Sequence, residues 1–242
     1  VTTQQKDNYK YQGEELDAFA LAENWKRYWQ CKIKKYLGPT VLEVGAGIGS
    51  TTRALYTSEY QRWVALEPDS ALIDGLIAQQ SVGKFPTPIE FKPGTVDSLP
   101  KDDLYHSIIY IDVLEHIETD REEIAKAASH LRPSGYLIVL SPAYQFLFTE
   151  FDTAVGHYRR YIAKQLQALT PNSLVVEKTF YLDAVGMMTS LINKFVLHSS
   201  QPTASQIKLW DRVIVPVSRN IIDPLLGYRM GRSVICVWRQ RY

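Results

Sequence analysis

The 242-residue sequence holds only two cysteines, Cys31 and Cys236. Two thiols so far apart build neither a disulfide framework nor a CxxC metal site, and nothing asks for an oxidising compartment. An excess of one charge is also lacking. Lys and Arg number 27 against 26 Asp and Glu, a net +1, so no global field recruits nucleic acid. No run of about 18 apolar residues occurs, so no helix is expected to span a bilayer. The opening stretch VTTQQKDNYKYQGEE is polar and has no apolar signal-peptide core, which predicts a cytoplasmic protein. Repeats, low-complexity tracts and Pro/Gly/Ser-rich linkers are missing as well. At 45% hydrophobic and 22% charged residues the chain has enough apolar surface for a packed core, which excludes a disordered or fibrous protein. Its length predicts one large domain, or one domain with an insertion.

Short β-branched runs alternate with helical patterns, which predicts an α/β fold with a mostly parallel sheet and helices on both faces. The expected strands are Thr40–Val44, Arg62–Leu66, Ile89–Phe91, Ser107–Ile111, Tyr136–Leu140, Leu174–Phe180 and Ser233–Trp238. A helix is expected ahead of the first strand, from about Asp17 to Tyr36. Ser50 and Thr51 are expected to cap a helix through Arg53–Tyr56. Asp69 and Ser70 precede the apolar run Ala71, Leu72, Ile73, Leu76 and Ile77. Thr119 and Glu122 have capping-box spacing before Ile124, Ala127, Ala128 and Leu131, with Pro133 and Gly135 closing that helix.

The strongest motif runs from Val41 to Ser50, VLEVGAGIGS, in which an apolar strand ends in a glycine turn and feeds a helix. Glycines permit positive φ and close approach of a ligand, and N–H groups at a helix start favour a negative group. A dinucleotide fingerprint, GxGxxG, would place its third glycine at position 50, which is Ser50. A nicotinamide-dependent oxidoreductase is therefore the disfavoured alternative. Glu67, at the end of the second strand, can accept both hydroxyls of a ribose, and Asp97 can accept from an adenine amino group. The segment Ile111-Asp-Val-Leu-Glu-His-Ile117 falls at the carboxyl edge of the sheet, where open α/β folds place ligands.

The ordered segments VLEVGAGIG, ALEPD, GTVDSLP, YIDVLEHI and LRPSGYLIVLSPA resemble the class I S-adenosylmethionine-dependent methyltransferases over roughly Thr40 to Ala143. The resemblance implies a seven-stranded, Rossmann-like, doubly wound sheet with a reversed final hairpin. It also implies S-adenosylmethionine as methyl donor and S-adenosylhomocysteine as product. Carried over by residue, Glu43 and the backbone of Gly45, Ala46 and Gly47 would hold the amino-acid part of the cofactor. Glu67 with Pro68 would hold the ribose, Val96 and Asp97 would frame the adenine, and Ile111 and Asp112 would line the methionine side. A non-catalytic relative that only binds the cofactor is a further alternative.

On the acceptor side, His116 is the best candidate general base, since an imidazole titrates near neutrality; the competing reading packs it at the sheet edge. The segment GHYRRY resembles one found in a group of bacterial methyltransferases of this class. It offers His157, Tyr158, Arg159, Arg160 and Tyr161 for a small-molecule acceptor, carboxylate or phosphate included. The alternative is an ion-pair and aromatic cluster, and adjacent arginines cannot easily face one site. No metal is expected.

Residues 1–36 are expected to form an N-terminal helical segment and cofactor lid, with Tyr9 and Tyr11 the better lid candidates. Residues 37–182 and 232–242 are expected to form the core, and 183–231 a helical insertion and substrate cap. In the insertion Leu209, Val213 and Val217 repeat at i, i+4, Pro216 is expected to kink the helix, and Gly186, Met187 and Met188 are expected to face a nonpolar acceptor. Lys208, Arg212, Arg219, Arg229 and Arg232 raise the prospect of peripheral membrane contact; an ordinary subdomain or a dimer face is the alternative. A monomer or a homodimer is equally compatible.

Overall fold

The computed structural model describes residues 10–11, 16–194 and 203–241. Seven strands form one sheet in the order β3-β2-β1-β4-β5-β7-β6. They are β1 (Thr40–Val44), β2 (Arg62–Glu67), β3 (Ile89–Pro93), β4 (Tyr105–Ile111), β5 (Leu131–Pro142), β6 (Leu174–Leu182) and β7 (Ser233–Gln240). The first five are mutually parallel where they pair, and β7 runs antiparallel to both β5 and β6. β1 lies between β2 and β4, so the winding direction reverses there. A crevice opens at such a reversal, beyond the carboxyl ends of the strands.

Alternation along each strand feeds two cores. Val41, Trp63, Ala65 and Ile109 face one side, where α2 (Glu23–Ile33) packs through Trp25, Tyr28 and Trp29. Leu42, Val44, Val64 and Ile108 face the other, against Ile124 and Ala127 of α5 (Asp120–Ser129). Both faces are thus covered, as a parallel sheet requires.

Ahead of β1 the expected single helix is two, α1 (Leu16–Ala20) and α2, broken at Leu21–Ala22 and followed by a 3₁₀ turn at Lys34–Tyr36. The helix α3 (Ser50–Leu55) is capped by Gly49 at φ 79°, not by Ser50 or Thr51. A Cβ on Gly49 would stand 2.5 Å from Phe85, so the close packing of this turn as well as its positive φ demands glycine. Asp69 does cap α4 (Ser70–Ser81), accepting from the N–H groups of Ala71 and Leu72. Thr119 makes no side-chain cap bond, so the capping box with Glu122 is not formed. Pro133 and Gly135 lie inside β5 rather than beyond a helix. They occupy an irregular stretch between the Tyr105↔Leu131 and Ser107↔Tyr136 pairs, where Pro133 costs no regular ladder bond.

Between β6 and β7 the chain forms α8 (Ala184–Ile192) and a second helical stretch. The latter begins as α9 (Ala204–Leu209) and continues through π turns at Trp210–Ile214 and Ser218–Ile222, each followed by a short α segment carrying Pro216 or Pro224. A wider turn before each proline accommodates its missing N–H and its ring. Two buried carboxylates on this stretch fasten it to α2. Asp211 accepts from the N–H groups of Asn24 and Trp25, and Asp223 accepts from Tyr28 Oη at 2.5 Å. Leu209, Val213, Val217, Ile221 and Leu225 point outwards and stay exposed. The i, i+4 stripe therefore faces away from the core. Tyr9, singled out from the sequence, lies outside the described residues.

Candidate functional site

A cavity of about 860 Å³ runs along the carboxyl ends of β1, β2 and β4, at the large end of the range of roughly 300–1,000 Å³ for ligand sites. One end is built by the glycine turn after β1. Gly45 and Gly47 sit at φ 75° and 55°. The N–H groups of Gly45 and Ala46 both donate to Leu66 O at 2.9 Å, that of Gly47 donates to Glu67 Oε2 at 2.7 Å, and that of Gly49 to Ala46 O at 2.8 Å. The turn is thus stitched to β2 by its own donors. A ligand here meets carbonyls, a glycine surface and the Glu67 carboxylate, and α3 has only six residues. The glycine turn itself therefore offers a ligand few free N–H donors, while Ser50 and Thr51 at the start of α3 line the cavity.

Glu67 is buried; its Oε1 accepts from Asp69 N–H at 2.9 Å, and burial raises its pKa. Pro68 and Ala46 line the cavity beside it, and Asp97 lines the far rim, ion-paired to Lys126 at 2.9 Å. Two expected residues do not reach the cavity. Val96 is packed in the core, whereas Thr95, Asp97 and Ser98 line the cavity. Glu43 points behind β1, where its Oε2 accepts from Thr52 Oγ1 at 2.7 Å and Trp63 Nε1 at 2.9 Å. Its neighbours Val44 and Gly45 line the cavity instead.

Burial pushes the Glu43 carboxyl up to about 7, against the opposing bonds from Thr52 and Trp63. A value raised on folding means that the stabilising contribution is complete below the unfolded value of 4.5 and is lost as pH climbs through 7. Denaturant unfolding across that window is expected to show wild-type stability falling by up to about 3 kcal/mol from this group, and Glu43→Gln flattening the fall. Parallel pH profiles for the two proteins would contradict it.

The other end of the cavity follows β4. Ile111 lines it, and Asp112, in the left-handed region at φ 54°, opens into it. The surrounding protein and the nearby Glu115 raise the Asp112 carboxyl above the usual carboxylate range, although its side chain stays exposed to the cavity. His116 also lines the cavity, 4.6 Å from the His157 ring and 5.8 Å from the Tyr11 ring. Burial and His157 lower its pKa to about 4. It is a neutral imidazole at physiological pH, and a far weaker base than an exposed histidine. Tyr11 also lines the cavity, its N–H donating to Asp69 Oδ2 at 2.7 Å.

The segment after β5 is organised by Asp152, which is fully buried. It closes a capping box with Thr149 on α6 (Glu150–Ala154), accepts from or pairs with His157 Nδ1 at 2.9 Å, and takes Arg160 Nε and Nη2 at 2.7 and 2.9 Å. Despite burial, these partners hold its carboxyl well below the usual range. Burial works against charge on His157 too, but Asp152 and Glu115 raise its pKa. His157 and Arg160 line the cavity. The other three residues of the segment do not. Tyr158 is exposed, Arg159 is paired to Asp120 at 2.6 Å, and Tyr161 is buried with its hydroxyl on Asp120 at 2.8 Å. Successive extended residues face opposite ways, so adjacent arginines part company.

Arg232 is the site residue that sequence reasoning misplaced on a basic surface. It lines the cavity, and its guanidinium lies 5.0 Å from the Trp210 ring and makes no hydrogen bond or ion pair among the described residues. Because β7 is antiparallel, its first residues lie at the carboxyl edge of β5, where Pro142 pairs with Ser233. From the insertion Trp210 lines the cavity, whereas Gly186, Met187 and Met188 do not.

Comparison with solved structures gives extensive fold matches at low identity. The N-methyltransferase NodS from Bradyrhizobium japonicum, solved with S-adenosylhomocysteine, superposes with a TM-score of 0.57 at 12% identity, covering 98% of this chain and 95% of that one. YcgJ from Bacillus subtilis gives 0.56 at 16%, covering 89% and 99%. The [4+2]-cyclase SpnF gives 0.60 at 16%, covering 89% and 80%. No curated protein matches by sequence. These neighbours share the class I methyltransferase fold. The family model described as a methyltransferase domain matches residues 17–181, well over half of the sequence, and the chain belongs to that family.

Proposed function

We propose that the protein transfers the methyl group of S-adenosylmethionine to an oxygen or nitrogen atom of a small or medium-sized, anionic acceptor. The observation that carries this reading is the polarity of the cradle. Its backbone donors at Gly45, Ala46 and Gly47 are spent on β2, while Glu67, Asp97, Asp112 and Glu115 line the cavity. A sulfonium, an ammonium and ribose hydroxyls are cations or donors and find acceptors there. A dinucleotide pyrophosphate needs N–H donors and would meet carboxylates.

When bound, the cofactor supplies an electrophilic methyl group. Glu67 accepts from the ribose hydroxyls, Asp97 from the adenine amino group, and Ile111 and Asp112 border the methionine side. The chain's remaining task is to hold the acceptor atom about 3–3.5 Å from the methyl, in line with the leaving sulfur. Arg232 and the buried Nη1 of Arg160, which has no partner among the described residues, supply donors for a carboxylate or phosphate on the acceptor. Tyr11, Leu16 and Phe19 narrow the mouth and limit water. His116, neutral, accepts a hydrogen bond from the acceptor rather than storing its proton.

The [4+2]-cyclase SpnF carries this architecture, so fold alone does not fix the reaction. Calorimetry is expected to show S-adenosylhomocysteine binding and no binding of NADH. Mass spectrometry of carboxylated and phosphorylated hydroxy and amino compounds incubated with S-adenosylmethionine is expected to show a methylated product. NADH binding in place of the adenosyl compound would overturn the cofactor reading. Cofactor binding with no product from any acceptor class would favour a binding protein.

A further inference from the structure

Three side chains at the acceptor end converge on one point of the cavity. Glu115, in the 3₁₀ turn Leu114–His116 after β4, its neighbour His116, and His157 from the loop after α6 each aim one donor atom inward. Those atoms lie within 4.8 Å of one another. Two of the side chains are also gripped from behind. Ser141 Oγ donates to Glu115 Oε2 at 2.9 Å, and Asp152 holds His157 Nδ1 at 2.9 Å.

The remaining oxygen, Glu115 Oε1, is the independent sign of a ligand. Glu115 is 0% exposed, and Oε1 has no hydrogen-bond partner among the described residues. His157 Nε2 stands 3.9 Å away, beyond hydrogen-bond reach. Leaving a buried carboxylate oxygen bare is costly, and a pair that existed only for mutual attraction would close that gap.

We propose that Glu115, His116 and His157 form a binding site for one divalent transition-metal cation of the zinc or ferrous type. Two imidazoles and one carboxylate are the donor set such ions take with positions left open, whereas magnesium and calcium prefer oxygen alone. The Asp152–His157 bond is the carboxylate–histidine support that fixes which ring nitrogen faces a metal. The present spacing is wider than the roughly 3.4 Å between tetrahedral ligands on bonds of about 2.1 Å, so ligation draws the three tips together. All three line the cavity, which leaves the open positions towards the acceptor. Sequence gave no such signal, because one ligand lies 41 positions from its nearest partner (157 − 116) and the site forms only when the loop folds onto β4. The site rests on these side chains and not on the methyl-transfer reading.

The test uses the full chain, stripped with a chelator, dialysed and titrated with Zn²⁺ by calorimetry, with bound metal counted by plasma mass spectrometry. One zinc per chain is expected. Glu115→Gln and His157→Gln are expected to abolish that equivalent, and Asp152→Asn to weaken it about 10- to 100-fold. Zn²⁺ is also expected to raise the wild-type melting temperature and to leave that of His116→Gln unchanged, which decides the matter should a buried variant fail to fold. No saturable zinc binding, or equal zinc affinity in wild type and ligand variants, overturns the proposal.

Discussion

Glu67→Ala is expected to weaken S-adenosylhomocysteine binding by about 100-fold or more. Each ribose hydroxyl donated to a carboxylate contributes about 1.5–3 kcal/mol, and every 1.4 kcal/mol is tenfold in affinity. Two such bonds alone reach the stated loss. The substitution also strips the acceptor from Gly47 N–H and Asp69 N–H, which Glu67 ties together across the end of β2. The glycine turn then loses its anchor as well as its ligand contact. Glu67→Gln keeps the size and one accepting oxygen, and is expected to fall between. Calorimetric titration of the three proteins checks this. A change of less than about threefold for Glu67→Ala would remove the ribose assignment.

Asp223→Ala is expected to lower the melting temperature by about 10 °C. The Asp223 carboxylate is fully buried, and takes Tyr28 Oη at 2.5 Å, Asp183 N–H at 2.7 Å and Ala184 N–H at 2.9 Å. Removing it leaves three buried donors without acceptors, a loss of about 4 kcal/mol. A chain of this size shifts by about 2–4 °C per kcal/mol. The effect is structural in origin but close to function, because the same helical stretch carries Trp210 into the cavity. Asp223→Asn retains accepting capacity and is expected to lose less. Scanning calorimetry reads both values, and a melting temperature within about 2 °C of wild type would show that the insertion is not fastened there.

The end of the cavity proposed to take the cofactor was readable from sequence because its information is local. An apolar strand, a glycine turn and a terminal acidic residue are adjacent in the chain, and backbone geometry converts them directly into a cradle. The β1 bounds agree at both ends, Thr40 to Val44. The first error at this end comes from alternation. Glu43 and Val44 cannot face the same way on a strand, so assigning both Glu43 and the turn after it to one cavity overlooked the pleat. Val96 and Asp97 divide for a different reason: successive residues of the 3₁₀ turn Val96–Ser98 point about 120° apart, one to the core and one to the rim.

At the acceptor end the information is distributed. Arg232 reaches the cavity only because β7 is reversed and starts at the carboxyl edge beside Pro142. Arg159 and Arg160 are indistinguishable by composition. Asp152, eight residues before Arg160, captures one and Asp120 the other. The lowered pKa of His116 follows from burial against His157, which no local spacing announces. The insertion's apolar repeat was visible, but its direction was not. The polar residues Asp211 and Asp223, bonded to α2, set the helix rotation and turn Leu209, Val213 and Val217 to the outside.

The central claim is that a cradle of acceptors, with its backbone donors already committed to β2, holds a cationic adenosyl cofactor. A crystal structure of the chain grown with S-adenosylhomocysteine tests it most directly. The account predicts both ribose hydroxyls on the Glu67 carboxylate, the adenine beside Asp97, and the sulfur directed towards Asp112. Density for the adenosyl group elsewhere, with Glu67 bonded only to Gly47 and Asp69, would contradict it.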